Sequence, residues 1–116
     1  MRWMGLVCAM VGLALAGCRA SLPADFQAPD AGSRIRAVVA SAREPTHEDL
    51  QGMVDSLRSD DPALRTLAIA ALERTARDRF GYDPWASEGE RREAIDRWRQ
   101  WLDATYGPQP ALTEAQ

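Results

Sequence analysis

The chain has 116 residues, 14 basic and 17 acidic, and a formal charge of −3. All the basic residues are Arg. This mild acidity, with no Arg stripe long enough to follow a phosphate backbone, argues against a nucleic-acid partner. The only cysteines are Cys8 and Cys18.

Arg2 is followed by an apolar run from Trp3 to Leu15 and then by Ala16, Gly17 and Cys18. A basic start, a short apolar stretch and small residues at a cut site are the parts of a secretory signal. The run is shorter than the ~20 residues a helix needs to cross the hydrocarbon core. The alternative is an uncleaved anchor helix with an incidental cysteine. Leu15-Ala16-Gly17-Cys18 resembles a bacterial lipobox, matching at all four positions. That resemblance implies lipidation on the Cys18 thiol, removal of residues 1–17, and attachment to a membrane. Two or more acyl chains give lasting anchorage. Arg19, in place of Asp, favours the outer membrane by the same resemblance. The expected location is the cell envelope, facing the periplasm or the exterior. With Cys18 lipidated and Cys8 removed, no disulfide is available, and the core alone must hold the domain.

Residues 18–29 carry Pro23 and Pro29 without an apolar period and read as a lipid-proximal spacer. Residues 30–107 read as one helical domain, and residues 108–116 as a flexible tail. In the first helix Ile35, Val38, Val39 and Ala42 recur on one face, and Pro45 stops it. Thr46 is placed to cap a second helix, with Glu48 and Asp49 in its first turn. Its stripe is Leu50, Met53, Val54 and Leu57. Asp61 caps the third helix, and Pro62 suits its first position. Its stripe is Leu64, Leu67, Ala68, Ala71 and Leu72, and Gly81 is available as a left-handed terminator. Ser87 and Glu90 form a capping-box pattern opening the fourth helix. Ala94, Ile95, Trp98, Trp101, Leu102 and Thr105 make its stripe, and Gly107-Pro108 ends it. No segment alternates in the manner of a strand, so the fold class is all-α.

Residues 50–75 form two helices around Asp60-Asp61-Pro62, followed by Ala63-Leu64-Arg65 and an Ala-rich helix. This resembles a HEAT repeat. Residues 30–36 align with residues 59–65, an offset within the range of helical repeats. The segment from Phe80 to Trp85, with Trp98 and Trp101 beyond it, is similar to the close of small HEAT-like lipoproteins. The resemblance implies a short array of about four antiparallel helices. It also implies that Arg65 is a structural residue paired with an acid, for which Asp55 and Asp60 are the candidates.

His47 is the only histidine, and beside Glu48 and Asp49 it reads as part of a solvated helix start. No nucleophile–base set, phosphate loop or metal cluster occurs beyond the signal. The chain therefore reads as a non-enzymatic lipoprotein that binds or scaffolds a protein partner. No cofactor or small-molecule substrate is evident. The alternative is an accessory envelope lipoprotein whose helices only pack. Tyr82, Trp85 and Trp98 are the candidate partner contacts. Their exposure favours the first reading, and their burial the second.

Overall fold

The computed structural model describes residues 24–108. It is all-α, with α1 (Ala31–Ser41), α2 (His47–Ser56), α3 (Pro62–Ala76) and α4 (Glu88–Tyr106). No strand occurs among the described residues. The segment expected to be a signal, residues 1–17, together with Cys18 and the expected tail beyond residue 108, lies outside the described residues.

Local chemistry sets the helix starts. The Asp30 carboxylate accepts from the Ser33 amide at 2.7 Å and opens α1. Thr46 and Asp49 form a reciprocal capping box on α2, as Ser87 and Glu90 do on α4. Asp61 accepts from the Ala63 and Leu64 amides, and Pro62 occupies the first turn of α3. The caps hold the Asp30 and Glu90 carboxyls below their ordinary pKa, chiefly through hydrogen bonds from Ser33 and Ser87. At the far end of α3 the sequence expectation fails. Arg77 rather than Gly81 supplies the left-handed terminator, at φ 59°. Gly81 is also left-handed, at φ 76°, but lies in the following loop.

α2 is central and packs against α1, α3 and α4. Its stripe of Leu50, Met53, Val54 and Leu57 is buried throughout. α2 and α4 run antiparallel. His47 at the start of α2 stacks on Tyr106 at the end of α4, and Asp55 lies 3.8 Å from Arg99 midway along α4. α1 and α3 pack together on the other side of α2.

Three stripe residues fall outside the core: Val39, Leu67 and, in the last turn of α4, Thr105. Val39 is 62% exposed, because α1 buries the face of Ser33, Ala37 and Val38. Leu67 is 39% exposed, because α3 buries Leu64, Arg65, Ala68, Ile69, Ala71 and Leu72. At ~100° per residue, Leu67 lies roughly a third of a turn from the centre of that face. Leu67→Ala is accordingly expected to cost less than about 1 kcal/mol. Leu72→Ala, at a fully buried site, is expected to cost about 2–5 kcal/mol. Parallel thermal melts of the two variants check the ranking, and equal losses would contradict it.

The segment 24–29 is more than a spacer. Phe26 packs against the core, with its ring lying across Gly52 of α2. A Cβ at Gly52 would come within 2.5 Å of Phe26 Cγ, so this close approach requires glycine. The Asp25 amide donates to the Ser33 carbonyl, fastening the segment to α1.

Candidate functional site

The expected partner contacts cluster around the loop between α3 and α4. Within that loop the Tyr82 amide donates to the Arg79 carbonyl and the Ala86 amide to the Asp83 carbonyl, and further donors come from the helices. Trp98 Nε1 donates to the Arg79 carbonyl at 3.0 Å, and Arg97 Nε to the Phe80 carbonyl at 2.7 Å. Arg65 Nε donates to the Pro84 carbonyl at 3.0 Å. The Tyr82 hydroxyl donates to the Leu57 carbonyl at 2.7 Å. α3, α4 and the end of α2 thus hold the loop together.

This arrangement divides the three aromatic candidates. Trp98 is 0% exposed and Tyr82 2% exposed, so neither is a surface contact. Trp98 instead packs edge-on against Phe80, with ring centroids 4.7 Å apart, and against Trp101 at 5.6 Å. Trp85 alone is open, at 73% exposure. Its amide donates to the Asp83 carboxylate at 2.9 Å, in the loop that Arg65 fastens at Pro84. Trp85 is therefore a large exposed aromatic on a braced support.

Arg65 donates to main-chain carbonyls, not to acids. Its Nη1 donates to the carbonyl oxygens of Ser59 and Asp60, at 2.9 and 3.1 Å. The Asp60 main chain, not its carboxylate, is the acceptor. Asp55 faces Arg99 instead. A guanidinium has five donors in a fixed fork, which suits it to gather carbonyls from two separate turns. Arg65 and Tyr82 together satisfy carbonyls around the end of α2 that the helix itself leaves free.

Burial raises the Tyr82 phenol above its ordinary pKa, opposed by the positive charges of Arg65 and Arg91. The folded state therefore holds the phenolic proton more tightly than the unfolded chain. The associated stability is present below the usual tyrosine value of about 10 and is lost as pH rises through the folded value. Tyr82→Phe is expected to flatten the alkaline limb of a stability–pH profile. It should also cost about 1 kcal/mol at neutral pH through the lost bond. An unchanged limb in chemical unfolding from pH 8 to 11 would reject this account.

His47 is half-buried rather than solvated. It stacks on Tyr106 with ring centroids 5.0 Å apart, and its Nε2 lies 3.2 Å from Gln51 Nε2. Among the described residues no group of three or more His, Cys, Asp or Glu side chains is arranged to hold a metal ion. No helix among them is long and apolar enough to cross a membrane. Comparisons of the chain with protein-family models, with curated proteins and with solved structures find no match.

Proposed function

We propose that this chain is a lipid-anchored, non-enzymatic protein-binding module of the bacterial cell envelope. Its short HEAT-like helical domain carries the contact, and Cys18 carries the anchor. The observation supporting a partner is Trp85, which is exposed on a loop braced from three helices. A rigid aromatic loses little conformational entropy on docking, so the contact energy is available for binding. The anchor rests on the lipobox resemblance of Leu15-Ala16-Gly17-Cys18.

The burial of Tyr82 and Trp98 favours the second reading, an accessory lipoprotein whose helical domain only packs. One set of measurements separates the two. The intact lipoprotein is cross-linked in its own envelope, and the adducts are compared between wild type and Trp85→Ala. A discrete adduct lost in Trp85→Ala is expected, because truncation of an anchoring aromatic typically costs at least about 2 kcal/mol of binding. Identical adduct patterns would assign the domain to packing alone. Cys18→Ser is expected to abolish labelling with a palmitate analogue, and labelling that persists would reject the anchor.

A further inference from the structure

We infer that the cleft between the end of α2 and the first half of α4 is a binding site for a phosphate-type dianion. The cleft encloses about 240 Å³. Four arginines line it: Arg58, Arg91, Arg92 and Arg99. Only Glu88 and Asp96 oppose them in the same wall. Asp55, outside the wall, also lies 3.8 Å from Arg99, so the four arginines still outnumber the acids around them in a chain whose formal charge is −3. A phosphomonoester dianion has the sign that this local excess attracts.

The arginines are incompletely used by the protein. Arg92 is paired with Glu88 at 3.2 Å, but both side chains are well exposed, so water competes strongly for the pair. Arg99 divides itself between Asp55 and Asp96, both at 3.8 Å. Arg58 and Arg91 form no ion pair among the described residues. Arg91 is the most telling. Its Nε and Nη1 are buried and have no hydrogen-bond partner, while the same guanidinium lies against the Tyr82 phenol. A buried donor without an acceptor is costly, and more so when charged. As they stand these two atoms do not face the cleft; turning the guanidinium toward it would present them to a tetrahedral oxyanion, which accepts from such a fork through two oxygens. Leu57 and Ile95, both buried, give the cleft an apolar floor.

Charge separates this cleft from its neighbour. Arg34 also has a buried, unpartnered Nε, and it lines a second cleft that shares Arg58. That wall carries Asp55, Asp60 and Asp61 against two arginines, so its net charge repels an anion. The assignment is thus specific to the Arg91 side, and it does not depend on the lipid anchor.

The test uses the full chain in neutral detergent, melted over a series of sodium phosphate concentrations against sodium chloride at matched ionic strength. A saturable rise in Tm with phosphate alone is expected, because a ligand bound only to the folded state stabilises it by mass action. Arg91→Gln and Arg58→Gln are each expected to weaken phosphate affinity at least about tenfold, or ~1.4 kcal/mol. Arg58 is exposed, so its replacement decides the matter if Arg91→Gln fails to fold. No saturable shift in wild type, or unchanged affinity in Arg58→Gln, overturns the site. A short-chain phosphatidic acid titrated in the same way identifies the source. Tighter binding than inorganic phosphate assigns the site to a lipid headgroup, and equal or weaker binding assigns it to a free phosphate compound.

Discussion

Trp98→Ala is expected to lower the stability of the helical domain by about 3–5 kcal/mol, the usual cost of removing a fully buried large aromatic. Total stability for a domain is typically about 5–15 kcal/mol, so this variant should sit at the edge of folding. Two losses combine in it. The indole fills the space between α4 and the α3–α4 loop, edge-on to both Phe80 and Trp101. Its Nε1 also satisfies the Arg79 carbonyl, at the point where Arg77 and Phe80 turn the chain through left-handed conformations. Trp98→Phe separates these terms. It retains most of the packing and removes one of the two donors on the carbonyl, which keeps its 3.0 Å bond from the Tyr82 amide, so it should cost about 1 kcal/mol for the lost bond. Denaturant unfolding followed by far-UV circular dichroism gives both numbers. A loss below about 1 kcal/mol for Trp98→Ala would mean that the loop does not depend on this ring.

The starts of α2, α3 and α4 were legible in the sequence because each is written in nearby residues: Thr46 with Asp49, Asp61 with Pro62, Ser87 with Glu90. The α2 stripe was legible because the central helix is covered on several sides, so every apolar residue of the period finds a neighbour. Val39 and Leu67 misled for the complementary reason. α1 and α3 bury a face set by where their neighbours lie, and an apolar side chain at the stripe's border carries no mark of that. The loop aromatics posed a harder problem. Tyr82 and Trp85 sit three residues apart among the same Gly, Asp and Pro residues, yet one is buried and the other open. The difference is made by the Leu57 carbonyl, 25 residues away in the chain. No local pattern encodes that partner. Arg91 was hidden likewise, because a run of mixed charges at a helix start reads as a solvated face, and only the fold buries its Nε and Nη1.

Arg65→Met keeps an apolar stem in the space and removes the fork that holds two turns together. Its expected cost is about 1–3 kcal/mol, dominated by the Pro84 carbonyl, whose bond is buried and cannot be replaced by water without opening the loop. The Ser59 and Asp60 carbonyls lie nearer the solvent and lose less. Double-mutant cycles identify the partner chemistry. Because the acceptors are main-chain oxygens, Asp60→Ala and Asp55→Ala should each add to Arg65→Met within about 0.5 kcal/mol. Tyr82→Phe should not add. Tyr82 and Arg65 fasten the same loop to the end of α2 from two sides, so loss of either loosens what the other holds. A coupling of about 0.5–3 kcal/mol is expected between them. Coupling to the Asp60 side chain instead would restore a carboxylate partner for Arg65. Strict additivity with Tyr82→Phe would show that the two bonds act independently, and that the brace beneath Trp85 is two separate contacts rather than one support.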